Sequence, residues 1–219
     1  MAKKSRTLTG ANLDLQPIEP LTANQLKAFE SDNHLVLHGV AGTGKTFISC
    51  YLAFDDMTKG YFDRVVIIRS AVSTRDIGFL PGTEKEKASV YEEPYKDICI
   101  ELFQRGDAYE LLKNKGLVHF MTTSFIRGVT LRNATIIVDE CQNISFHELD
   151  SIITRVGEGC RVIFCGDFRQ ADLGKNGLQD FMEVLKSMDS FDLIDFEIKD
   201  IVRSEFVKEY IIAKTELGY

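Results

Sequence analysis

Tryptophan is absent from the 219 residues, and proline is scarce at 4. So little proline argues against a Pro-rich linker protein and leaves long stretches free to form uninterrupted helices and strands. The five cysteines, Cys50, Cys99, Cys141, Cys160 and Cys165, are odd in number, and no two are spaced as C-x-x-C. That points away from a disulfide framework and from a four-cysteine zinc site, and towards a reducing, cytoplasmic setting. No apolar run reaches the roughly 18 to 20 residues of a membrane span, so no membrane partner is expected. The basic start (residues 1–6) is not followed by an apolar segment, so it does not read as a secretory signal. Acids are missing from two windows, 64–75 and 111–138, although the net charge is −7. Those windows hold Arg64, Arg69, Arg75, Lys113, Lys115, Arg127 and Arg132, so a local basic surface on an acidic protein is expected.

What is present has the composition of an ordinary globular chain, with 44% hydrophobic and 27% charged residues. Residues 1–20 are polar, with Pro17 and Pro20 near their end, and read as a flexible lead-in. The remainder, 21–219, reads as one domain. A short helix is expected from Thr22, which can cap it, with Gln25 three residues on as in a capping box. Short β-branched runs then recur at 34–38, 64–69, 117–121, 135–138, 161–165 and 191–196, separated for the most part by helical stretches such as 145–156 and 177–188. Strand, crossover and strand in repetition mean an α/β fold, a mostly parallel sheet covered by helices on both faces. Residues 70–115 are too many for one crossover and read as an insertion whose main helix spans 91–104.

One segment carries most of the chemistry. Gly39-Val40-Ala41-Gly42-Thr43-Gly44-Lys45-Thr46 matches in full the pattern of a glycine, four residues, and glycine-lysine-threonine. It follows a strand and opens a helix, the context in which such a loop wraps its backbone N–H groups around phosphates. In a site of this type Lys45 reaches the β- and γ-phosphates, and the Thr46 hydroxyl is a Mg²⁺ ligand. A second apolar strand ends in Asp139-Glu140: Asp139 is expected to hold Mg²⁺ through water, and Glu140 to act as general base on the attacking water. A third ends in Gly166-Asp167, with Gln170 three residues further, where a glutamine can touch the γ-phosphate or its water. ATP and Mg²⁺ are the expected cofactors.

These motifs together resemble the PhoH family, whose sheet is similar to the RecA-like P-loop NTPase core of superfamily 1 helicases. The resemblance rests on GVAGTGKT (39–46), IGFLPG (77–82), SFIRGVTLRNATIIVDECQN (124–143), ITRVGEG (153–159), CGDFRQADL (165–173) and IVRSEFV (201–207). It implies that Gln25 recognises adenine, that Gln142 couples nucleotide state to a neighbouring strand, and that Arg203 acts as an arginine finger. It also implies a motor on single-stranded nucleic acid, RNA ahead of DNA. Arg75, Phe125, Arg127 and Arg132 are the candidate contacts, as guanidinium and ring surfaces for phosphates and bases. Because such helicases close their site between two ATPase-like domains, a homo-oligomer, a hexamer, is expected. The alternatives are a nucleotide-gated nucleic-acid-binding module without unwinding, and a nucleoside kinase of similar fold. No nuclease activity is expected.

Overall fold

The computed structural model describes residues 6–8, 10–70, 84–126, 128–168 and 177–217. Eight strands and seven α-helices follow one another among these residues. Six strands form a parallel sheet: β3 (His34–Gly39), β4 (Arg64–Arg69), β5 (Val118–Thr122), β6 (Ala134–Asp139), β7 (Cys160–Gly166) and β8 (Phe191–Phe196). Their order across the sheet is β5-β4-β6-β7-β3-β8.

The reason for the continuous apolar runs is visible in the register. Successive residues of a strand point to opposite faces, and both faces here are covered. Leu35, Leu37, Val65, Ile67, Ile137, Ile163 and Cys165 belong to one buried cluster, together with residues of α2 (Lys45–Thr58), α3 (Glu84–Phe103) and α4 (Ala108–Asn114). Val36, Val66, Ile68, Ile136, Val138, Val162 and Phe164 belong to the other, beneath α5 (Phe146–Ile153) and α6 (Leu178–Lys186). Four of the cysteines are buried and unpaired by disulfide, as small hydrophobes would be. Among the described residues no helix is long and apolar enough to cross a membrane.

The lead-in differs from expectation. β1 (Arg6–Leu8) and β2 (Leu13–Leu15) pair antiparallel, and Leu8, Leu13 and Leu15 are buried in the first cluster. Alternating leucines on either side of a turn give this hairpin an apolar face, and the Gln16 N–H ties its exit to the Leu102 carbonyl of α3 at 2.8 Å. The insertion's main helix begins earlier than expected, at Glu84, and carries Pro94 inside it. The first helix, α1 (Ala23–Glu30), is capped by the Thr22 hydroxyl, which accepts from the Gln25 N–H. Gln25 closes no capping box, however: its side chain reaches the Leu21 N–H and the Thr43 carbonyl instead.

Sheet order decides what meets at the carboxyl edge. β7 lies between β3 and β6, so the loop after β3, the acids that end β6 and Asp167 after β7 become neighbours. In parallel α/β sheets that edge is where ligands bind.

Candidate nucleotide site

The loop at residues 39–46 takes its shape from three glycines with positive φ: Gly39 (134°), Gly42 (80°) and Gly44 (82°). At Gly39 even an alanine is impossible without movement, because its Cβ would stand 2.0 Å from the Phe196 carbonyl oxygen. Gly44 is the N-cap of α2 and offers no side chain to cap it, which leaves the helix's first N–H groups for a ligand. The Lys45 ammonium folds back to donate to the Gly39 and Val40 carbonyls at 2.8 and 2.7 Å. Burial lowers its pKa, and the charges of Asp167, Glu140 and Asp139 nearby oppose that shift.

The loop and the tip of β6 are joined by one hydrogen bond: the Thr46 hydroxyl donates to Asp139 Oδ1 at 3.0 Å. The other carboxylate oxygen, Oδ2, accepts from the Tyr95 hydroxyl at 2.7 Å. Asp139 is buried, and burial pushes its carboxyl above the usual range. The hydrogen bonds from Tyr95 and Thr46 and the charge of Arg69 work the other way, while Glu140 adds to the rise. Arg69 is the register partner of Asp139 on β4.

Glu140 sits in the left-handed region (φ 55°, ψ 45°), which costs a non-glycine residue about 1–2 kcal/mol. A single 3₁₀ turn, Cys141–Asn143, follows and brings Gln142 round. The Gln142 amide donates to the Glu140 carboxylate and accepts from the Asp167 N–H at 3.1 Å, so it links the end of β6 to the end of β7. Gly166 makes room for it: a Cβ there would stand 2.7 Å from Gln142 Oε1.

Gln25 is buried against the same loop. Its Nε2 donates to the Thr43 carbonyl at 3.1 Å, and its Oε1 accepts from the Leu21 N–H at 2.7 Å. The C-terminal segment lies across the loop as well. The Val202 N–H donates to the Gly42 carbonyl at 3.0 Å, and the Arg203 Cγ lies 3.0 Å from the place a Cβ on Gly42 would take. Thus Gln25, Lys45, Thr46, Asp139, Glu140, Gln142, Asp167 and Arg203 converge on one edge of the sheet.

The two nucleic-acid candidates among the described residues, Phe125 and Arg132, do not converge. The other two, Arg75 and Arg127, lie outside the described residues, as does Gln170, the candidate for the γ-phosphate. Phe125 is exposed three residues past the end of β5, at the carboxyl edge. Arg132 is exposed two residues before the start of β6, at the amino edge, where its carbonyl accepts from Arg64. Since Arg64 pairs with Ala134 and Arg69 with both Asp139 and Thr122, the length of a strand separates the two, roughly 17 Å. The crossover from β5 to β6 runs from one edge to the other, which nearness in sequence conceals.

Tyr95 carries no sequence signal for a place in this site. It is one of several apolar-face residues of a helix far along the chain, and only the packing of α3 against the sheet brings its hydroxyl to Asp139.

Comparison with known proteins gives the family and the fold. Residues 17–214 match the family described as PhoH-like protein. A PhoH-like protein of Bacillus subtilis is 34% identical over 179 residues, covering 80% of this chain and 56% of that protein. Protein PhoH of Escherichia coli is 34% identical over 184 residues, covering 82% and 52%. The chain therefore spans about half the length of these relatives. Among solved structures, the large terminase of a thermophilic bacteriophage in complex with ADP superposes with a TM-score of 0.56 at 14% identity, over 87% of this chain and 49% of that one. The helicase domain of Pyrococcus furiosus Hef superposes with a TM-score of 0.51 at 16% identity, over 87% and 40%. The fold is that of a RecA-like P-loop NTPase core, and the chain belongs to the PhoH-like protein family.

Proposed function

We propose that this protein binds ATP with Mg²⁺ at the 39–46 loop, hydrolyses it, and does so in response to single-stranded nucleic acid, RNA ahead of DNA. The observation that carries the reading is the Thr46–Asp139 hydrogen bond, which joins the phosphate loop to the acid-bearing strand, with Glu140 next in sequence. The residues fit the ligands. A hydroxyl and a carboxylate are hard oxygen donors suited to Mg²⁺, and an uncapped helix N-terminus with a half-buried lysine suits phosphate. Mg²⁺ would be held by Thr46 and, through water, by Asp139, and its chemistry there is charge neutralisation on the phosphate oxygens.

The chain's own groups do the rest. Lys45 exchanges the Gly39 and Val40 carbonyls for phosphate oxygens. Glu140, held by Gln142, takes the proton of the attacking water, and the Gln142 bridge passes the position of Glu140 to the backbone of Asp167. Gln25 holds the Thr43 carbonyl and so sets the loop beneath the expected adenine position. Arg203 stabilises the transferred phosphoryl group in cis, because the 201–203 segment rests on the chain's own Gly42. The exposed Phe125 supplies a stacking surface for a base at the same edge of the sheet. Assembly into a homo-oligomer, a hexamer, belongs to the same proposal. It is supported by α7 (Glu205–Glu216), which buries none of its residues and exposes Phe206 and Tyr210.

The test is ATP hydrolysis with and without single-stranded RNA and DNA, with Glu140→Gln as control. Stimulation by nucleic acid that the variant abolishes is expected. Hydrolysis indifferent to both polymers would refute the nucleic-acid coupling, and none in either condition would refute the ATPase reading. Mixing Lys45→Ala with Arg203→Ala protein should restore no activity; restoration would mean that Arg203 acts in trans.

A further inference from the structure

The hydroxyl of Tyr95 is the contact at this site that the phosphate-loop chemistry leaves unused. Asp139 has two carboxylate oxygens, each taking one hydroxyl: Thr46 on Oδ1 and Tyr95 on Oδ2. Two donors on opposite oxygens fix the rotation of the carboxylate about its Cβ–Cγ bond, and with it the oxygen that faces Thr46. Tyr95 is fully buried, so no bulk water competes for that bond.

The tyrosine is itself held on two sides. Its ring packs against Phe120 of β5, with centroids 5.9 Å apart. One turn earlier on α3, Tyr91 lies against the guanidinium of Arg69, 5.8 Å from the ring centre. Helix α3 is in turn clamped to α4, because Glu92 accepts from both the Tyr109 hydroxyl at 2.8 Å and the Lys113 ammonium at 2.6 Å.

We propose that Tyr95 is a positioning residue of the Mg²⁺–nucleotide site: its hydroxyl sets Asp139 in the orientation that receives Mg²⁺. This rests on the ATP·Mg²⁺ reading above. Loss of a partner that orients a directly bound metal ligand typically changes metal affinity or activity by about 10–100-fold, and since Asp139 holds Mg²⁺ through water the low end of that range is expected.

The experiment is Mg²⁺ titration of fluorescent ATP-analogue binding to wild type, Tyr95→Phe and Tyr109→Phe, with an EDTA arm and thermal denaturation of each. Tyr95→Phe keeps the ring and removes only the hydroxyl. Tyr109→Phe removes a comparably buried hydroxyl from the same helix pair without touching Asp139. The expected result is a rise of about 10-fold in half-saturating Mg²⁺ for Tyr95→Phe, a wild-type value for Tyr109→Phe, and equal binding of all three in EDTA. A wild-type Mg²⁺ response in Tyr95→Phe would overturn the proposal alone, and so would an equal shift in Tyr109→Phe. Binding in wild type that ignores Mg²⁺ would overturn both the proposal and the reading beneath it.

Discussion

Gly166→Ala is the sharpest test of how this site is wired. Gly166 ends β7, and its φ lies outside the range that strains an L residue, so the substitution is governed by space. The new Cβ would stand 2.7 Å from Gln142 Oε1, 3.0 Å from the Cys141 nitrogen and 3.1 Å from Cys141 Cβ. The Gln142 amide is the end of a flexible side chain and gives way first. Retreat to an ordinary contact near 3.4 Å moves that oxygen by about 0.7 Å. Its 3.1 Å bond from the Asp167 N–H then lengthens to about 3.8 Å, which is no longer a hydrogen bond. A half-buried donor losing its partner costs about 1–3 kcal/mol. If that falls on the positioning of Glu140, kcat drops by about 5- to 150-fold. Because the phosphate loop, Lys45 and Thr46 are untouched, binding of an ATP analogue should stay within about two-fold. The assay pairs single-turnover hydrolysis with equilibrium nucleotide binding. Wild-type hydrolysis in Gly166→Ala would refute the claim that the Gln142 bridge matters. Nucleotide binding lost in parallel would show that the substitution collapses the loop instead.

Other outcomes follow from the same geometry. Arg161 pairs with Asp56 at 2.8 Å and donates to the Ser31 and Asn33 carbonyls; all three bonds vanish in Arg161→Ala, which should lose about 3–5 kcal/mol by denaturant titration because Asp56 is left charged and buried. Glu148 is partly buried, which by itself would raise its pKa, but the Ser145 N–H and hydroxyl and the Thr123 hydroxyl hold it below the usual carboxylate value. A depressed carboxyl contributes stability above its unfolded pKa and loses it as pH falls through the folded one. Thermal melts should therefore show Glu148→Gln about 1 kcal/mol less stable at pH 7, a gap that closes as pH falls below about 4. Phe125→Ala should weaken single-stranded RNA binding by about 1–3 kcal/mol in a fluorescence-anisotropy titration, while Arg132→Ala at the opposite edge should leave it nearly unchanged. Equal losses in the two variants would contradict the separation of those residues.

Much of this is legible without coordinates, and the reason is locality. The 39–46 loop is readable because three glycines at fixed offsets, a strand before and a helix after determine its backbone within eight residues. Asp139-Glu140 is readable because a run buried on both faces must end where its first acids stand. The parallel sheet follows from apolar runs separated by crossovers. The lead-in is not legible, for the opposite reason: three leucines of a short hairpin are apolar on one face only, and that face has meaning only once α2 and α3 are beneath it.

By itself, then, the sequence determined the groups available: a glycine-rich loop with a lysine and a threonine hydroxyl, and two consecutive acids, all at strand ends. The tertiary structure alone decided how these are joined. Strand order placed β7 between β3 and β6 and so let Gln142 bridge them. Chain return laid Arg203 on Gly42 across 161 residues (203 − 42), and helix packing brought Tyr95 to Asp139 and Gln25 to Thr43. It also drew Phe125 and Arg132 apart, although only seven positions separate them (132 − 125). Contacts of this kind depend on which surfaces bury each other, and no local pattern of residue types encodes that pairing.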